Sequence, residues 1–110
     1  MCGISGYFGN QNNKPSEKEI LKNLKIMKNR GRDGQGSFSL NINENFFLNL
    51  NHTRLSIIDP NKLSNQPFVD RDGVIIFNGM IYNYLELKKK LQNKCNFQTN
   101  SDTEVLLKFL

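Results

Sequence analysis

The stretch MCGISGYFGN (residues 1–10) places a cysteine second in the chain, at the head of a segment patterned as a strand. Chain ends ordinarily fray and tolerate change, so a reactive side chain there calls for a reason. Ile4, Tyr7 and Phe8 follow Cys2 and Gly3, and Gly9-Asn10 closes the segment as a turn, which predicts a strand from Cys2 to Gly9. Met1 precedes a small side chain and is the kind of methionine that processing removes. Cys2 would then begin the mature chain, carrying a thiol and a free α-amino group in one residue. Taken alone, the position favours an inert, buried cysteine.

Working outward, PSEKEILKNLKIMKNRG (residues 15–31) reads as a helix. Ser16 and Glu19 form an S-x-x-E capping box, Ile20, Leu24 and Met27 keep the spacing of one buried face, and Gly31 supplies the stop. A glycine-rich loop, GRDGQG (residues 31–36), comes next, with strands expected at Ser37–Leu40 and Phe46–Asn51. FVDRDGVIIFNG (residues 68–79) reads as a hairpin turning at Asp72-Gly73. Its run Val74 to Phe77 is apolar without alternation, which predicts a strand buried on both faces. Asn83 with Glu86 is a candidate cap for a helix carrying Leu85, Leu87 and Leu91, and Ser101 with Glu104 is a third capping box. That last helix runs apolar to Leu110 without a stop, so the chain is expected to be the front part of a longer fold.

The chain has 110 residues, 37% hydrophobic and 23% charged, which fits one globular domain or part of one. No apolar run approaches the ~20 residues of a membrane span, and no basic-then-apolar leader opens the chain. Cys2 and Cys95 have neither disulfide-framework nor metal-ligand spacing, so a reducing, cytoplasmic setting is expected and no metal site. The net charge is +5, but much of the excess lies in Lys22, Lys25 and Lys28 and in Lys88, Lys89, Lys90 and Lys94. Lysines interleaved with apolar residues read as the solvated faces of helices rather than as a nucleic-acid surface. Cys95 reads as a partly buried structural cysteine. His52, the only histidine, sits beside a strand and reads as structural rather than as a general base for Cys2.

Six strings occur in one order: MCGISGYFG, RGRDGQG, HTRLSIID, NQPF, FNGMIYNY and FQTNSDTEVLL. Together they resemble the class II glutamine amidotransferase domain, in particular that of glutamine-hydrolysing asparagine synthetases, over essentially all of residues 1–110. The resemblance implies an α+β fold, part of a four-layer αββα Ntn-hydrolase architecture with antiparallel sheets. It implies that Cys2, after loss of Met1, attacks the side-chain amide of glutamine, forms a γ-glutamyl thioester and releases ammonia. The chemistry is self-consistent, because thiol and α-amine reference pKa values of about 8.5 and about 7.7–8.0 match for proton exchange near neutrality. By the same resemblance Asn78 and Gly79 supply oxyanion donors, and Arg30 orders the surroundings of Cys2. Arg54 grips the α-carboxylate, backbone groups of Leu55, Ser56, Ile57 and Ile58 line the pocket, and Asp102 receives the α-ammonium. An arginine fork suits a carboxylate, while Asp102 taken alone is an ordinary first-turn acid.

The pattern departs from the family at three places. Met80 stands where a Glu usually shares the α-ammonium, Arg32 where a Pro fixes the loop, and Asn29 where a His is usual. No cofactor is expected in this segment. ATP and Mg belong to a synthetase domain, which is expected as a partner in cis or in trans, with glutamine as substrate, no nucleic acid, no membrane, and homodimerisation left open. Two other readings stay open: an inactive remnant or interaction module, and an amidotransferase that passes ammonia to another acceptor such as a sugar.

Overall fold

Strand β3 (Phe46–Arg54) is the spine of the computed structural model, which describes all 110 residues. It pairs antiparallel with β1 (Gly3–Asn10) on one side and with β2 (Gly34–Asn41) on the other, in the order β1-β3-β2. All three strands run a residue or more beyond the expected limits, because pairing with β3 continues past the turn-like glycines. Between β1 and β2 lies helix α1 (Glu17–Met27). Its capping box is formed as the sequence predicts, with Ser16 accepting from the Glu19 N–H and Glu19 accepting from the Ser16 N–H at 2.8 Å.

The two faces of this sheet differ. Side chains alternate along a strand, so Ser5, Asn49, Asn51 and Thr53 share one face. Helix α1 packs on this polar face: Thr53 Oγ1 donates to the Met27 carbonyl at 3.0 Å and Ser5 Oγ donates to Asn23 Oδ1 at 2.9 Å. Asn49 and Asn51 are buried there, and Asn49 Nδ2 bonds Ser37 Oγ and Ser39 Oγ at 3.1 and 3.0 Å. A buried amide is stable only when such partners exist. The opposite face carries Ile4, Phe8, Phe38, Leu40, Phe46, Leu48 and Leu50, of which Phe8 is 67% exposed. Phe8 and Phe46 stack on this open face with ring centroids 5.8 Å apart.

Two close approaches require glycine. A Cβ on Gly31 would lie 2.5 Å from the Thr53 carbonyl, so Gly31 lets the chain after α1 press against the end of β3. The helix itself stops at Met27, four residues before the expected Gly31 stop. At Gly36 a Cβ would collide with the Gln66 carbonyl, so this glycine seats the 57–67 loop on the apolar face.

A second, two-stranded ribbon comprises β4 (Phe68–Asp70) and β5 (Gly73–Ile75). The hairpin is present, but Asp70 pairs with Gly73, so the loop is Arg71-Asp72, one residue earlier than expected. The strand expected over Val74 to Phe77 ends at Ile75, and all four residues are only half-buried. A ribbon has one neighbouring strand and one covered face, so its apolar run cannot be enclosed on both sides.

Helices α2 (Tyr84–Leu91) and α3 (Asp102–Phe109) complete the fold. Asn83 precedes α2 without a side-chain cap bond. Ser101 caps α3 by accepting from Thr103 N, but Glu104 does not complete a box. Glu104 is fully buried and accepts instead from Gln98 N, Thr99 N and Thr99 Oγ1 at 2.8, 2.7 and 2.6 Å, which fixes the segment entering α3. Lys88 is not merely a solvated lysine. Its Nζ donates to the Thr99 carbonyl at 2.7 Å and lies 5.1 Å from the Phe97 ring centroid, tying α2 to the same segment.

Helix α3 is fastened to the ribbon by Lys108, whose side chain is 3% exposed and bonds Asp70 at 2.5 Å and Asp72 at 2.6 Å. Hydrogen bonds that Lys108 donates to Asp70 and then Asp72 hold its ammonium above its ordinary pKa, and the same Lys108 bond holds the Asp70 carboxyl below its own. The helices and antiparallel sheets agree with the α+β class expected. No helix is long and apolar enough to cross a membrane.

Candidate active site

At the Arg54 end of the three-stranded sheet, β1, β3, the ribbon exit and the start of α3 converge on a cavity of about 450 Å³. Cys2 reaches it from the residue before β1. Its Sγ accepts from the Leu55 N–H at 3.3 Å and lies 3.7 Å from the Leu55 carbonyl, so the end of β3 holds the sulfur in place. Arg30 donates from Nε to the Cys2 carbonyl at 3.3 Å, placing it beside Cys2 but outside the cavity lining. Asn78 and Gly79 follow the ribbon and are exposed to the cavity. A Cβ on Gly79 would meet the Phe77 ring at 2.6 Å, so any larger residue here requires that ring to move.

Arg54 ends β3 with its side chain buried and lining the cavity. Nη1 donates to the Asn61 carbonyl at 2.9 Å and to Asn65 Oδ1 at 3.0 Å, and Nη2 donates to the Asp59 carbonyl. Of the five N–H donors of a guanidinium, the Nε–H and one Nη2–H therefore have no partner in the chain. Asp102, at the first turn of α3, accepts from the Ile81 N–H through Oδ2 at 3.0 Å, leaving Oδ1 without a backbone partner. Leu55, Ile57, Ile58 and Met80 line the remaining walls. Ser56 does not; its N–H points away to Asp33 Oδ2 at 2.7 Å and anchors the glycine-rich loop.

The sequence assigned no site role to Gln66, Phe77, Ser101 or Thr103, which also line the cavity. Gln66 is buried, donates to Thr103 Oγ1 at 3.0 Å and accepts from the Phe77 N–H at 2.5 Å. One amide thus joins the loop after β3, the ribbon exit and α3. The signal was the polar residue in NQPF, but its partners lie 11 and 37 positions away and no local pattern reveals them.

His52 lies next to this site on β3, fully buried, with neither ring nitrogen hydrogen-bonded. Burial pushes its pKa down to about 4. The Phe77 backbone opposes this shift, and the Arg54 charge adds to the depression. The ring is therefore neutral near pH 7. Because its pKa is depressed on folding, its contribution to stability is full above about pH 6.5 and is lost as pH falls toward 4. We expect a loss of about 2–3 kcal/mol over that window, and a His52→Leu variant whose urea midpoint is flatter with pH over the same range.

A cysteine, an exposed Asn-Gly pair, a buried arginine and a buried carboxylate thus surround one cavity. The chain belongs to the glutamine amidotransferase domain family, whose model matches residues 1–110. It is 40% identical to the provisionally named asparagine synthetase [glutamine-hydrolyzing] 2 of Methanocaldococcus jannaschii, over 98% of this chain and 23% of that protein. It is 39% identical to asparagine synthetase [glutamine-hydrolyzing] 1 of Bacillus subtilis, over 97% of this chain and 17% of that protein. Identity is 31% to glutamine–fructose-6-phosphate aminotransferase [isomerizing] of Helicobacter pylori, over 100% of this chain and 22% of that protein. The chain thus spans about a fifth of the length of the curated relatives it matches.

Proposed function

We propose that this chain hydrolyses glutamine to glutamate and ammonia with Cys2 as nucleophile. The observation that supports this most is that Cys2 lines the same cavity as Arg54, Asn78, Gly79 and Asp102. With Met1 removed, the α-amine of Cys2 takes the thiol proton, and the thiolate attacks the side-chain amide carbon. The Asn78 side-chain amide and the Gly79 N–H receive the oxyanion, the amine returns its proton to the leaving nitrogen, and ammonia departs. Water then hydrolyses the γ-glutamyl thioester, releasing glutamate and restoring the thiol. The free Nε–H and Nη2–H of Arg54 take the α-carboxylate, and Asp102 Oδ1 takes the α-ammonium.

Met80 offers no charge to that ammonium. A hydrogen bond to a charged group contributes ~1.5–3 kcal/mol, so Met80→Glu is expected to lower the glutamine KM by about 10–100-fold. A glutamate-release assay on both proteins checks this. Glutamine-dependent glutamate and ammonia in equal amounts support the function, and an unchanged KM in the variant overturns the role given to Met80.

We further propose that the ammonia serves asparagine synthesis from aspartate, given the synthetases among the relatives. ATP and magnesium would be used in a separate synthetase domain. The aminotransferase likeness favours a second reading, with a sugar phosphate as ammonia acceptor. The fold, on this proposal, is the part of a four-layer αββα domain that carries the nucleophile, and the open apolar face is where its second sheet packs.

A further inference from the structure

Asp59 does not line the cavity, yet it is bonded both to the Arg54 side chain and to the segment that enters α3. It adopts a left-handed backbone conformation, with φ 46°, which aspartate and asparagine tolerate better than most residues other than glycine. Its carboxylate accepts from Ser64 Oγ at 2.6 Å and from the Asn100 N–H at 2.9 Å through Oδ2, and from the Asn61 N–H at 3.2 Å through Oδ1. Its carbonyl accepts from Arg54 Nη2, and the Asn61 carbonyl, two residues on, accepts from Nη1. Asn100 lies two residues before Asp102. One side chain therefore bridges the loop that clamps Arg54 and the segment that starts α3, 41 positions away.

We propose that Asp59 is a positioning residue that sets the spacing between Arg54 and Asp102, and with it the recognition of the α-amino-acid end of glutamine. This rests on the function proposed above. The Ser64 hydroxyl bond, opposed by burial and reinforced by the Asn100 and Asn61 N–H groups and the Arg54 charge, holds the Asp59 carboxyl below its usual pKa. The carboxylate is therefore ionised wherever the enzyme works, and its bonds are charge-assisted. A group that acts on the α-amino-acid end and not on the amide is expected to change KM far more than kcat.

The decisive variant is Asp59→Gly, which keeps the left-handed backbone accessible and removes only the carboxylate. Misplacing binding groups by about an ångström costs up to roughly 10²-fold, so we expect the glutamine KM to rise at least about tenfold with kcat within about threefold. Alkylation of Cys2 by diazo-oxo-norleucine, which carries the α-carboxylate and α-ammonium, should slow in parallel. Alkylation by iodoacetamide, which carries neither, should not. Asp59→Asn, which tolerates the same backbone and keeps one acceptor oxygen, should recover part of the loss. Ser64→Ala should shift KM in the same direction and decides the matter if Asp59→Gly does not fold. An unchanged KM in the folded variants, or equal loss with both alkylating agents, overturns the role of Asp59. A wild-type protein that neither hydrolyses glutamine nor reacts with diazo-oxo-norleucine would instead overturn the underlying function, and the inference with it.

Discussion

Replacing Cys2 by serine should lower glutamine hydrolysis by at least about 10³-fold while leaving glutamine binding nearly intact. A hydroxyl occupies almost the same volume as a thiol, so the Leu55 N–H that holds Sγ at 3.3 Å can hold Oγ as well. Fold and pocket are preserved by this change. What is lost is the nucleophile, since an alcohol is far harder to deprotonate than a thiol, and the only nearby base proposed is the α-amine of the same residue. His52 cannot compensate. Although neutral, it is fully buried in β3 with no hydrogen bond toward Cys2. Isothermal titration with glutamine alongside a glutamate-release assay separates binding from turnover. A Cys2→Ser protein with undiminished turnover would mean that Cys2 is not the nucleophile.

Asn78→Ala is the second large effect expected, a fall in kcat of about 10²–10³-fold with KM changed much less. Asn78 lines the cavity beside Gly79, where an added Cβ would meet the Phe77 ring. A donor aimed at the oxyanion acts on the transition state and little on the bound substrate, which is why kcat should carry the loss. Asn78→Asp is the sharper control, because it keeps shape but places an acceptor and a negative charge where negative charge develops. It should be at least as impaired as the alanine variant. Steady-state kinetics of the two variants read this directly, and a loss confined to KM would assign Asn78 to substrate binding instead.

Local signals were legible where the chemistry is local. The Ser16–Glu19 box formed as read, because both partners lie within one turn of α1. The same spacing at Ser101–Glu104 failed, because the Gln98 and Thr99 N–H groups and the Thr99 hydroxyl take the Glu104 carboxylate with three bonds. Alternation in β3 marks Leu48 and Leu50 against Asn49 and Asn51, but it does not say which face α1 will cover. Here the helix covers the amides, a result set by the reciprocal bonds among Ser5, Ser37, Ser39, Asn23, Asn49 and Asn51. Within the site, Cys2, Arg54, Asn78, Gly79 and Asp102 were legible as motif positions and converge on one cavity. Gln66 and Asp59 were not, since their significance lies in bonds to partners up to 37 and 41 residues distant. The arginine also carries more than its motif suggested: three of its five donors hold the 59–65 loop before any ligand arrives.

The measurement that tests the central proposal most directly is the intact mass of the protein after incubation with diazo-oxo-norleucine, followed by mapping of the modified residue. The expected result is a chain lacking Met1, carrying one adduct on Cys2, with free glutamine in excess slowing its formation. Retention of Met1, or an adduct on Cys95 alone, would contradict the assignment of Cys2 as an N-terminal nucleophile.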